Sequence, residues 1–74
     1  MSENATQPKD MTAEFYDDPL GVHMVGAFYI PAKRAMEYVQ AMGKLLCRIR
    51  KINSVEVSLY NNGGDLADKI TVYR

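Results

Sequence analysis

Hydrophobic residues recur every three to four positions across residues 31–53, the helical period, and every second position in segments on either side, the strand period. Within the central segment Ala32, Ala35, Met36, Val39, Met42, Gly43, Leu46 and Ile49 share one stripe, with Leu45 and Ile52 at its margin. The opposite side reads Lys33, Glu37, Gln40, Lys44, Arg48 and Lys51, a basic face in which Glu37 precedes no Lys or Arg by four residues. Pro31 suits the first helical position, where a missing N–H costs nothing, and Asn53 tolerates the left-handed conformation that closes a helix. Two features run against local preference. Lys33 and Arg34 oppose the helix dipole at a cost of about 0.3 to 1 kcal/mol each, and Gly43 costs about 1 kcal/mol relative to alanine in mid-helix. The cations point to a partner, and the glycine to close packing on a sheet.

Residues 22–30 predict the first strand, β-branched and aromatic, bounded by Gly21 and Pro31. One side presents Val22, Met24, Gly26, Phe28 and Ile30, the other His23, Val25, Ala27 and Tyr29, so both sides are largely apolar. Residues 55–60 alternate strictly, with Val55, Val57 and Leu59 inward and Glu56, Ser58 and Tyr60 outward. Asn61, Asn62, Gly63, Gly64 and Asp65 form a strong hairpin signal, because Asn and Gly tolerate positive φ. The return strand, residues 69–74, puts Ile70 and Val72 inward and Lys69, Thr71 and Tyr73 outward.

Ahead of these elements, residues 1–12 are polar and predict disorder, and Thr12 could cap a single helical turn laying Phe15 or Tyr16 over the core. The expected fold is therefore α+β, a two-layer β-α-β-β unit: a three-stranded sheet with one helix packed on one face, preceded by a disordered acidic N-terminal leader. Residues 1–20 form that leader and residues 21–74 a single small α/β domain. If the first two strands are parallel, a right-handed crossover joins them.

Charge sharpens this division. Nine Lys and Arg balance nine Asp and Glu, yet residues 1–18 sum to −4 and the remainder to +4. At 74 residues the chain buries about 60% of its unfolded surface, and so small a core leads one to expect a partner or a second copy. Its single cysteine, Cys47, excludes an intramolecular disulfide and reads as a small half-buried apolar residue. No signal peptide or membrane span is visible, which makes a cytoplasmic setting the expectation.

Catalytic chemistry finds little footing. One His and one Cys lack metal-ligand spacing, and the carboxylates Glu37, Glu56, Asp65 and Asp68 are scattered. Gly63 and Gly64 join two strands rather than opening a helix, so they lack the setting of a phosphate loop. His23 and Ser58 fall on one expected sheet face, which is thin support for a nucleophile and its base. The expectation is no enzyme, no cofactor and no bound metal.

One helix covers only one side of a sheet, and the uncovered side is the principal functional lead. Its candidate contact residues are His23, Val25, Tyr29, Tyr60, Lys69 and Tyr73; those of the basic helix face are Lys33, Arg34, Lys44, Arg48 and Lys51. The reading is a small interaction module, an inhibitor or adaptor of the size class of phage or mobile-element accessory proteins. It docks on a larger protein through the tyrosine-bearing sheet face, a strand edge or the helix face, with a homodimer as a further option. The rival is nucleic-acid binding, with the basic stripe on phosphates or the tyrosines stacked on bases. Its difficulty is that these two surfaces lie on opposite sides of the domain.

Overall fold

The computed structural model describes residues 10–74. Four strands and one helix follow in the order β1 (Asp10–Tyr16), β2 (Met24–Pro31), α1 (Ala35–Arg50), β3 (Ser54–Tyr60) and β4 (Leu66–Tyr73), with a 3-10 turn at Ala32–Arg34 leading into α1. The strands form one sheet in the order β2-β1-β3-β4, with every pairing antiparallel. The class is α+β with a helix on one face, as expected, but the sheet has four strands rather than three.

The additional strand, β1, comes from the stretch read as leader, and the helical turn expected there does not form. Met11, Ala13 and Phe15 turn toward the helix, with Ala13 and Phe15 fully buried, while Thr12, Glu14 and Tyr16 take the other side. A two-residue period over six positions suits a strand and wastes half its apolar residues on a helix, so burial overrides the polar composition nearby. The disorder expected over residues 1–12 is overturned for residues 10–12, which belong to β1, and residues 1–9 lie outside the described residues. Because β1 sits between β2 and β3, those two strands run in the same direction without being hydrogen-bonded neighbours.

The helix is shorter than residues 31–53. Pro31 is extended and ends β2, and the left-handed residue is Lys51, at φ 58°, rather than Asn53. Asn53 stands just before β3, its carbonyl accepting the Arg74 N–H beyond the end of β4 at 2.8 Å, and the helix closes two residues sooner.

Ala35, Val39, Gly43 and Cys47, one residue per turn, form the buried line of α1. Gly43 meets Val72 of β4, and the Cys47 thiol faces the Val72 carbonyl at 3.9 Å. The buried line is rotated from the expected stripe: Cys47 moves to its centre, while Ala32, Met36, Leu45 and Ile49 are exposed. Removal of the Cβ at Gly43 permits backbone approach on that side, and the helix rolls toward the side that can come closest. On β2 the Phe28 ring stands edge-on to Phe15, with centroids 5.7 Å apart at 72°. Among the described residues no helix is long and apolar enough to cross a membrane.

Candidate interaction surface

Two bulges decide which side chains reach the uncovered face. In β2 the register passes from Phe15 opposite Gly26 to Tyr16 opposite Met24, leaving Val25 without a partner. An unpaired residue inverts strand parity beyond it. Val25 consequently packs against the core, not on the open face where simple alternation put it. A second bulge skips Ala67 in β4, so Leu59 faces Asp68 and Tyr60 faces Leu66.

His23 is also absent from that face, because it belongs to the turn between β1 and β2. The Asp18 carboxylate accepts the N–H groups of Val22 at 3.0 Å and His23 at 2.8 Å. The His23 N–H is the main cause holding the Asp18 carboxyl below the usual carboxylate range, against a smaller opposing effect of burial. His23 Nδ1 lies 2.8 Å from both carboxylate oxygens of Asp17, and Arg50 Nη2 approaches the same carboxylate at 3.7 Å. These contacts give His23 a structural role in the turn. Ser58, buried on β3 between Glu14 and Lys69, is not brought to it.

The face itself is polar at its centre. Glu14, Ser58 and Lys69 lie in register across β1, β3 and β4, as do Tyr16, Glu56 and Thr71. Tyr16 Oη donates to Glu14 Oε1 at 2.6 Å, and Thr71 Oγ1 donates to Glu56 Oε1 at 3.0 Å. The Tyr16 phenol is pushed up to about 12, chiefly by that hydrogen bond, then by partial burial and by the Glu14 charge. Tyr29 and Tyr60 flank Thr12 from either side, while Tyr73 pairs with Ser54 near the opposite end of the sheet. Tyr29, Tyr60 and Tyr73 are thus separated, two at one end and one at the other, with Tyr16 between them on β1.

Tyr29 and Tyr60 are the walls of an open cleft of about 500 Å³ whose floor carries Thr12. Asp10 and Glu14 line it as well, and Asn61, Asn62 and Gly64 of the β3–β4 loop close one rim. That loop is preorganised: Asn61 Oδ1 accepts the N–H groups of Gly63 at 2.9 Å and Asp65 at 3.1 Å, and Gly64 supplies the required φ of 87°. Sequence reading missed Asp10, Thr12, Glu14 and Tyr16, although the alternation from Met11 to Tyr16 was the signal that could have found them.

The basic helix face is less free than its sequence implies. Arg34 pairs with Glu37 three residues on and lies over the Tyr38 ring at 5.7 Å, so local pairing does occupy this face. Lys44 Nζ donates to the Tyr73 carbonyl at 3.2 Å. Lys33 lies in the 3-10 turn, outside the first turn of α1, whose acidic residue is Glu37. Arg48 and Lys51 lie at the other end, and a helix of 16 residues separates the two groups by about 24 Å. Among the described residues no group of three His, Cys, Asp or Glu side chains could hold a metal ion. Set against protein-family models, curated proteins and solved structures, the chain gives no match.

Proposed function

We propose that this protein is a non-enzymatic interaction module, an inhibitor or adaptor that docks on a larger protein through the open face of its sheet. The observation that carries the reading is the cleft between Tyr29 and Tyr60 on the side of the sheet opposite the helix. Aromatic side chains held on strands supply contact area at little entropic cost, because the backbone beneath them is already ordered. Tyr29 is 83% exposed and Tyr73 67%, and the polar residues between them supply hydrogen-bonding groups for an interface. The helix face is the weaker candidate, since Lys33 and Arg34 stand at one end and Arg48 and Lys51 at the other, while Arg34 and Lys44 have internal partners. A nucleic acid is disfavoured on the sheet face, where Asp10, Glu14 and Glu56 outnumber Lys69 and would oppose phosphates.

The test is site-specific photocrosslinking in cells of the source organism, with a benzophenone side chain placed at Tyr29, Tyr73 or, as a control on the helix, Lys51. A discrete protein adduct at Tyr29 or Tyr73 and none at Lys51 is the expected result. Adducts from Lys51 alone would move the docking surface to the helix, and nucleic-acid adducts would replace the reading. Solution mass measured on the same preparation separates self-association from capture of another protein.

A further inference from the structure

We propose that the cleft between Tyr29 and Tyr60 receives an arginine side chain of the partner, an inference that rests on the docking role assigned to the sheet face. Three observations converge on this chemistry. First, Tyr29 and Tyr60 both pair with Thr12, from opposite sides. Their Cα atoms therefore lie two strand spacings apart, about 10 Å, which leaves a slot between the rings for a flat group. Second, among the described residues every carboxyl or amine lining the cleft is acidic, namely Asp10 and Glu14. Among the described residues the contacts between carboxylates and basic side chains join Asp17 to His23, Glu37 to Arg34 and Asp17 to Arg50, and none reaches the cleft. Third, Tyr16 holds Glu14 through Oε1, which orients the carboxylate before any ligand arrives.

A guanidinium matches this arrangement better than an ammonium. It is planar, so it stacks on a tyrosine face, and its fork of N–H donors suits a fixed carboxylate. It is also weakly hydrated, which lowers the cost of leaving water for a half-open slot. A phenyl or aliphatic side chain would bring no positive charge to Asp10 and Glu14, and an acidic one would be repelled by both. At the rim, the Asn62 amide and the NH₂ group of Asn61, whose oxygen is engaged in the loop, face the backbone on which the arginine is carried.

The test uses the full chain labelled with ¹⁵N and titrated with a capped Gly-Arg-Gly peptide, alongside the same peptide carrying lysine or citrulline. Citrulline keeps the shape of arginine and removes its charge. Saturable shifts at the amides of Thr12, Glu14, Tyr29 and Tyr60 are expected with arginine, several-fold weaker with lysine and lost with citrulline. Tyr29→Ala and Glu14→Gln should each weaken arginine binding about five- to thirtyfold, whereas Tyr73→Ala, on the same face but outside the cleft, should leave it unchanged. The spectra themselves report whether each variant is folded. Equal binding of citrulline, shifts that map to α1, or no saturable shift at millimolar peptide would overturn the proposal. If crosslinking at Tyr29 or Tyr73 traps a protein while the arginine peptide does not bind, the arginine site is wrong and the docking face stands; if neither position traps a protein and the peptide does not bind, both fall.

Discussion

A β-carbon added to Gly43 would lie 2.7 Å from Val72 Cγ1 and 2.8 Å from Val72 Cβ, so the helix rests on β4 at a distance that only glycine allows. Gly43→Ala gains about 1 kcal/mol of helix propensity and introduces overpacking that costs about 1 to 3 kcal/mol or more. The neighbour is a branched side chain on a buried strand position and has little room to give. The variant is expected to lose about 1 to 2 kcal/mol net, read from the midpoint of urea unfolding. Val72→Ala should cost less in the Gly43→Ala background than in the parent chain, a coupling that independent sites would not show.

Phe15 tests whether β1 belongs to the body of the protein. Its ring is fully buried against Phe28 at the centre of the sheet. Phe15→Ala is expected to cost about 3 to 5 kcal/mol, enough to unfold most of the population of so small a domain. An unchanged circular dichroism spectrum and melting temperature would show that residues 10–16 are dispensable.

Lys51 carries a left-handed backbone at φ 58° at the end of α1. A side chain in that region is strained by about 1 kcal/mol relative to glycine. Lys51→Gly is therefore expected to stabilise the fold by about 0.5 to 1 kcal/mol, seen as a rise in melting temperature. Lys51→Val, which adds β-branching at the same φ, should lower it.

The Tyr16–Glu14 bond gives the fold a dependence on alkaline pH. The Tyr16 phenol rises from 10.0 to about 12, so the folded state keeps a proton that the unfolded state releases. Its contribution to stability is complete below 10.0, declines as pH climbs, and is gone once pH passes about 12. An ultraviolet titration should show one phenol ionising near 12 that is lost from that position in Glu14→Ala. Persistence of the late phenol in Glu14→Ala would remove Glu14 as the cause.

Much of the secondary structure was legible because it depends on period alone. The inward set Val55, Val57 and Leu59, the hairpin at Asn61 to Asp65 and the close packing of Gly43 all follow from local chemistry and are found in the fold. At the candidate site, Tyr29, Tyr60, Lys69 and Tyr73 were legible by the same alternation. Val25 and His23 were misplaced because bulges and turns shift parity by one residue, and the sequence does not mark where an unpaired residue sits.

Sequence alone determined that one amphipathic helix covers one side of a sheet containing a terminal hairpin, since local hydrophobic periodicity and turn chemistry need no knowledge of distant neighbours. Only the tertiary structure decided that Asp10–Tyr16 is the strand between β2 and β3. Pairing two strands across that strand is a matter of burial: the three apolar residues of β1 are protected only once α1 and both neighbours are in place. The cleft shares that origin, because Tyr29 and Tyr60, thirty-one residues apart in the chain, become its two walls only when Thr12 stands between them.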